Sequence, residues 1–226
     1  MNIFDQSLGQ LARTIPGATA VFHKYQLDFC CGGKQSLRAV AAQRSLDIDA
    51  VSAELLALGE TPSGEDWMQA SNAELIEHIL SRYHDVHRQQ LPELIRLSQR
   101  VELVHGGHTE CPSGLAHQLE RLQAELEQHM QKEEQILFPM ISRGITGMAV
   151  QPVAMMRHEH DEHGEALAAI ERLTHGITLP KGACNTWRAL YLGLENFKTD
   201  LMEHIHLENN ILFDRIDGQL ESVQHG

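Results

Sequence analysis

HMQKEEQILFPMI (129–141) and HIHLENNILFDRI (204–216) are two copies of one pattern in a sequence of 226 residues. Each copy has His, Glu, Ile-Leu-Phe and Ile at the same offsets, and its His and Glu are four residues apart. Residues at this spacing lie on one face of an α-helix, about 6 Å apart. The repeat therefore predicts two long helices, each of which places an imidazole and a carboxylate side by side.

Four segments after residue 71 carry apolar residues three and four positions apart, which is the spacing of amphipathic helices. The first begins at a capping box formed by Ser71 and Glu74. The second places Ile136 and Met140 on the face of its His and Glu. No segment of this region alternates apolar and polar residues over strand length. The pattern predicts an antiparallel four-helix bundle.

A shorter helical region precedes the bundle. Apolar residues recur at helical spacing on both sides of the turn-like run CCGGK (30–34), which predicts a small helical domain over residues 1–60. Residues 61–71 belong to a stretch of Pro, Gly, Ser and charged residues that is typical of a linker. The bundle then occupies residues 72–226. The predicted fold class is all-α, a four-helix bundle preceded by a small helical N-terminal domain.

Charge and composition exclude several classes of partner. The formal net charge is -13 and the 18 Lys and Arg residues are spread thinly, so we expect no nucleic acid. No apolar run approaches the roughly 20 residues of a membrane span, so we expect no membrane partner. The N-terminus lacks the basic start and apolar run of a signal peptide, and the four cysteines are too scattered for the disulfide framework of a secreted protein. A cytoplasmic location is the expectation.

Histidine is the unusual feature of the composition, because there are 15 histidines but only 5% aromatic residues. Several stand where a helix in a bundle needs an apolar residue, and a buried imidazole or carboxylate costs several kcal/mol, as an order of magnitude, unless it is paired or bound to metal. HDVH (84–87) and HDEH (160–163) form a second, weaker repeat. The candidate metal ligands are His84, His129, Glu133, His160, His204 and Glu208. We expect His87 and His163 to be hydrogen-bond partners or satisfied core residues.

The type of ligand indicates the metal. Imidazole with carboxylate, and without thiolate, suits iron, manganese or zinc, and two glutamates favour a dinuclear centre. Two ferric ions with an oxo bridge and two glutamates leave a net charge of about +2, which a buried site tolerates better than bare ions. We therefore rank an oxo- and carboxylate-bridged di-iron centre first, di-manganese second and di-zinc third.

DFCCGGKQSL (28–37), followed by KEEQILFPMI (132–141) and LENNILF (207–213), resembles the RIC family (Repair of Iron Centers, of the YtfE/ScdA type). The resemblance implies a short domain with a Cys-Cys pair, a hemerythrin-like di-iron domain, and a cytoplasmic role in restoring iron-sulfur clusters damaged by nitrosative and oxidative stress. It implies the same six ligands. The family's acidic residues near the cluster match Glu125 and Glu159, and the resemblance implies that these two support the metal ligands or control access to the cluster. The resemblance also admits a homodimer.

Cys30 and Cys31 are adjacent in sequence. A disulfide between neighbours forces a strained ring, so the pair is either two free thiols or a readily reduced disulfide. Gly32 and Gly33 permit a tight turn that exposes sulfur. The alternative is two cysteines beside a helix end that have no chemistry. The resemblance favours redox or iron transfer.

Three functions compete for such a centre. The first is repair of damaged iron-sulfur proteins by supplying labile iron, because six protein ligands leave open positions on two irons. The second is reduction of nitric oxide to nitrous oxide, with nitric oxide as ligand or substrate. Oxygen carriage, the third, is less favoured because Gly164 stands one turn after His160, where hemerythrins carry another histidine. Four histidines also disfavour a ferritin-like store.

Overall fold

The computed structural model describes residues 2–59 and 67–224, which are helical apart from turns and one isolated antiparallel bridge between Ser7 and Ser36. Of the predicted linker at 61–71, residues 61–66 lie outside the described residues. Four short helices come first: α1 (Leu8–Thr14), α2 (Ala18–Lys24), α3 (Leu37–Arg44) and α4 (Ile48–Gly59). Seven follow: α5 (Asn72–Ile79), α6 (Asp85–His105), α7 (Leu115–Lys132), α8 (Phe138–Ser142), α9 (Thr146–Leu173), α10 (Asn185–Leu207) and α11 (Phe213–Gln224).

Three π-helical segments interrupt the long helices. They are Leu80–His84 between α5 and α6, Glu133–Leu137 between α7 and α8, and Glu208–Leu212 between α10 and α11. A π-helical turn bonds residue i to i+5 and so holds one residue more than an α-helical turn. With these segments included, residues 72–105, 115–142, 146–173 and 185–224 are four continuous helices, which confirms the predicted all-α fold.

The π-helical turns change which residues face the core. The apolar spacing predicts that Ile136 and Met140 lie on the buried face of the second long helix, but Ile136 is 54% exposed. Leu137 and Ile141 are buried in their place. The extra residue of Glu133–Leu137 advances the buried face by one position, so the assignment of Ile136 was wrong. By contrast, the capping box is confirmed, because Ser71 and Glu74 bond each other's backbone N–H groups at 2.8 and 3.2 Å.

Residues 77–201 form one compact unit that contains the four-helix core. In it, α6 packs on α7 and α7 on α9. Gly193 brings α10 close to α6, since a Cβ on this glycine would lie 2.8 Å from Cδ2 of Leu94. Lys198 of α10 pairs with Glu171 of α9. The ring of contacts α6, α7, α9, α10 is that of a four-helix bundle.

The second compact unit comprises Met1–Ile76 and Met202–Gly226. Its core contains Leu8, Phe22, Phe29, Leu37 and Phe213, all 0% exposed. The end of α10, the π-helical turn and α11 therefore cluster with α1–α4. Gly9 and Gly33 permit close contact there, because a Cβ on Gly9 would lie 2.4 Å from Oδ1 of Asn210.

None of the helices in the described ranges is both long enough and apolar enough to span a membrane.

Candidate metal centre

Within residues 77–201, four predicted ligands come together in the bundle interior. His84, Glu133 and His160 are 0% exposed and His129 is 1% exposed. The Nε2 atom of His84 lies 3.5 Å from Oε2 of Glu133, and Nε2 of His129 lies 3.3 Å from Oε1 of the same carboxylate. The Nε2 atom of His160 is 3.1 Å from Nε2 of His129. Glu133 thus directs one oxygen to each of two imidazoles.

Backbone geometry contributes to this arrangement. The π-helical segment Leu80–His84 ends at one candidate ligand, and Glu133–Leu137 begins at another. π-helical turns occur frequently at functional sites, because the extra residue moves a side chain away from its α-helical position. The third long helix, α9, brings His160.

Two carboxylates lie behind the imidazoles. The Nδ1 atom of His84 is 2.8 Å from Oε1 of Glu134, and Nδ1 of His129 is 2.9 Å from Oε2 of Glu159. A carboxylate accepts hydrogen bonds, so Nδ1 of each ring carries a proton and donates it. This arrangement fixes the ring and, in a neutral imidazole, leaves the lone pair on Nε2, as in histidines that bind metal.

The geometry fits a cation between these groups. A neutral His129 with its proton on Nδ1 presents the Nε2 lone pair to Glu133, whose carboxylate is also an acceptor. Two acceptors 3.3 Å apart repel each other unless a proton or a cation lies between them. Imidazole nitrogen and carboxylate oxygen are donors that iron, manganese and zinc accept. The buried His and Glu side chains of the chain include groups of four that could hold a metal ion.

Glu159 is well placed to hold His129. Its side chain is 13% exposed and also pairs with Lys132. The hydrogen bond from His129, followed by that from Lys132, lowers the pKa of Glu159 to about 2. The carboxylate is therefore ionised at neutral pH and can accept the Nδ1 proton. Behind His84, Arg88 bonds the corresponding carboxylate of Glu134 at 2.9 Å.

The second compact unit contains the other two predicted ligands. His204 and Glu208 are both 0% exposed, and Nε2 of His204 lies 3.0 Å from Oε1 of Glu208. The histidine is in α10, and the glutamate begins the π-helical segment Glu208–Leu212. The pair repeats the position of His129 and Glu133 relative to their own π-helical turn.

The loop around Cys30 and Cys31, here called the Cys-Cys loop, contacts the π-helical turn that begins at Glu208. The side chain of Asn209 donates to the carbonyl of Cys30 at 3.3 Å, and that of Asn210 donates to the carbonyl of Phe29 at 3.1 Å. Asn209, the hydrogen-bond partner of Cys30, directly follows Glu208 in the chain.

The two cysteines of the loop form no disulfide, and their sulfur atoms are 3.7 Å apart. Asp28 accepts the backbone N–H groups of Cys30, Cys31 and Gly32 at 3.1, 3.0 and 2.9 Å and so holds the turn. The hydrogen bond with Cys31, followed by burial, raises the pKa of Cys30 well above its usual value. Asp28, Cys30 and Cys31 offer ligand atoms within 4.8 Å of one another.

Comparison with known proteins agrees with both regions. Residues 75–216 match the hemerythrin HHE cation-binding domain, and residues 4–59 match a domain of unknown function, DUF542. A relative from Yersinia pseudotuberculosis serotype O:1b (strain IP 31758) is 56% identical over 216 residues, which are 95% of this chain and 98% of the relative. One from Pectobacterium carotovorum subsp. carotovorum (strain PC1) is 54% identical over 212 residues, 93% and 96% of the two chains. Both are named iron-sulfur cluster repair protein YtfE. This chain belongs to the RIC family.

In this RIC chain the acidic residues expected near the cluster occupy different environments. Glu159 contacts His129, whereas Glu125 is exposed and has Arg121 as its ion-pair partner at 3.6 Å. Glu134, for which the repeat predicts no role, is the residue that contacts His84. The sequence has a second glutamate directly after Glu133, but its spacing does not indicate that it meets His84.

His87 and His163, expected as hydrogen-bond partners or satisfied core residues, are both buried. The Nδ1 atom of His87 lies 3.2 Å from Oε1 of Gln90. The ring of His163 packs edge-on against the ring of His129, with centroids 4.9 Å apart. His163 thereby restricts the orientation of the His129 ring.

Proposed function

We propose that this RIC chain holds a di-iron centre and uses it to repair iron-sulfur clusters damaged by nitrosative and oxidative stress, by supplying iron. The observation that carries the proposal is Glu133, whose two oxygens lie 3.5 and 3.3 Å from Nε2 of two different buried histidines. A carboxylate with one histidine at each oxygen suits a bridge between two metal ions. The relatives' printed name supports the repair role.

The six proposed iron ligands are His84, His129, Glu133, His160, His204 and Glu208. The pair of His204 and Glu208 supports a second bridging carboxylate, because it repeats the sequence and the π-helical context of His129 and Glu133. An oxo bridge would complete the proposed centre and would offset two further positive charges. When bound, the iron supplies labile metal and one-electron chemistry. The protein's own groups fix the imidazoles through Glu134 and Glu159 and exclude water from the carboxylates.

Cys30 and Cys31 are proposed to take part in redox or iron transfer. Asp28, Cys30 and Cys31 offer one oxygen and two sulfur donors. Cys31 is partly exposed, whereas Cys30 is buried, so the turn does not expose its sulfur as predicted. The loop bonds Asn209, the residue after Glu208. Iron leaving a ligand on this turn would thus find thiol donors on the segment that contacts the turn.

Reduction of nitric oxide to nitrous oxide is the second candidate. It is favoured by the similar surroundings of His84 and His129, each of which has a glutamate behind Nδ1 and shares Glu133 in front of Nε2. Similar surroundings suit two metal ions that each bind one nitric oxide molecule.

The test is iron transfer from anaerobically purified, full-length protein loaded with 57Fe. Mössbauer spectroscopy is expected to find two coupled irons per chain, and incubation with an apo iron-sulfur acceptor should restore acceptor activity with 57Fe in its cluster. Glu133→Ala and Glu208→Ala should lose both the coupled signal and the transfer, whereas Glu125→Gln, an exposed control, should retain them. One iron or none in the wild type would overturn the di-iron centre. A normal centre that yields nitrous oxide from nitric oxide, but no iron to the acceptor, would favour the second candidate.

A further inference from the structure

A thiol and an imidazole meet at the far end of the bundle from His84. The Sγ atom of Cys184 lies 3.2 Å from Nε2 of His105. His105 ends α6, and it is 21 residues beyond His84 on the same continuous helix, which corresponds to about 30 Å. The pair therefore has no part in the candidate metal centre.

Cys184 also stands at the N-terminus of a long helix. The carbonyl of Cys184 accepts the N–H of Arg188 at 3.0 Å, so Cys184 is the N-cap of α10, a helix of 23 residues. The positive end of the helix dipole lies at this position and stabilises a negative charge. Arg188 itself donates from Nε to the carbonyl of Ala183, the residue before Cys184, at 3.2 Å.

The imidazole is held in position by an aromatic ring. The rings of His105 and Trp187 have centroids 5.0 Å apart, and Trp187 is 1% exposed. His105 and Cys184 are both partly exposed. A cysteine beside an imidazole and at a helix N-terminus is the environment in which thiolates form and react.

We propose that Cys184 and His105 form a reactive thiol site that undergoes thiol–disulfide exchange with small disulfides. His105 takes the Cys184 proton, and the resulting thiolate attacks one sulfur of the disulfide. A new bond forms between Sγ and that sulfur while the original S–S bond breaks. The departing thiolate takes the proton from His105, so that one thiol and one disulfide yield one mixed disulfide and one thiol.

Cys111 serves as a control within the same chain. It is also partly exposed, and among the residues that the structure describes no imidazole bonds its sulfur. Full-length protein is incubated with glutathione disulfide, and separately with the neutral reagent iodoacetamide, and peptide mass spectrometry follows each cysteine. The rate of each cysteine in the folded protein is divided by its rate in the denatured chain. On this normalised scale, Cys184 is expected to react about tenfold faster than Cys111 with both reagents.

A matched pair of variants isolates the imidazole. His105→Gln should slow Cys184 about tenfold and leave Cys111 unchanged. His108→Gln removes the other histidine that packs on Trp187, with ring centroids 5.5 Å apart, and should leave both rates unchanged. Equal normalised rates for Cys184 and Cys111 in the wild type would overturn the site, whatever the variants do. So would a Cys184 rate that His105→Gln does not alter. If His105→Gln instead accelerates both cysteines, the variant has partly unfolded. In that case the proposal is judged by the ratio of the normalised Cys184 and Cys111 rates in the wild type.

Discussion

At the scale of the residue, the candidate centre depends on which nitrogen of each histidine carries a proton. A line of contacts runs inward from Lys132 through Glu159 and His129 to Glu133. Because Glu159 accepts at Nδ1, the Nε2 atom of His129 is left as the donor to a metal. Glu159 thus determines which nitrogen of His129 can bind a metal, although Glu159 is not itself a proposed ligand.

Glu159→Gln tests this role. Glutamine keeps the size of the side chain but removes the charge that favours a protonated Nδ1, so we expect iron affinity to fall by about 10- to 100-fold. Competition with a coloured chelator measures the affinity. Glu134→Gln should act in the same direction through His84, and Glu125→Gln should stay within twofold of wild type, since Glu125 is exposed and contacts Arg121. Unchanged affinity in both Glu159→Gln and Glu134→Gln would show that the outer carboxylates do not hold the ligands.

At the scale of the element, the π-helical turns explain both what the sequence predicts and what it does not. The His and Glu of each repeat precede or begin the turn, so their α-helical spacing places them correctly on one face. Beyond Glu133 the spacing fails, and Ile136 is exposed where periodicity predicts burial. Periodicity within one helix also cannot say which residue of a neighbouring helix will meet His84. Glu134 was missed for that reason.

Deletion of Ile136 tests whether the π-helical turn matters to the site. Removing this exposed residue should convert the turn to α-helix while Phe138 and Ile141 keep their buried face, because residue 138 then follows Glu133 by four positions. We expect a folded, helical protein by circular dichroism that has lost bound iron. Ile136→Ser keeps the chain length and should bind iron normally. Retention of two irons by the deletion variant would mean that the turn has no role in placing Glu133.

At the scale of the whole molecule, metal binding and folding are linked. The two compact units each contain buried, ionisable His and Glu side chains that cost free energy in the absence of a compensating charge. Iron bound by such side chains would offset this cost, so the loaded protein should be more stable than the apo protein. Anything that binds only the folded chain raises its stability by an amount that depends on affinity and concentration.

Removal of iron should therefore lower the melting temperature. Free iron at 100 times the dissociation constant adds about 2.7 kcal/mol, and a domain of 150–250 residues shifts by roughly 2–4 °C per kcal/mol, so we expect a loss of about 5–10 °C in the apo protein. Differential scanning calorimetry of loaded and chelator-treated samples measures it. In Glu133→Ala the chelator should change the melting temperature by much less, because the variant has lost the carboxylate that both His84 and His129 face. A wild-type protein that binds iron but melts at one temperature with and without it would place the iron outside the folded core.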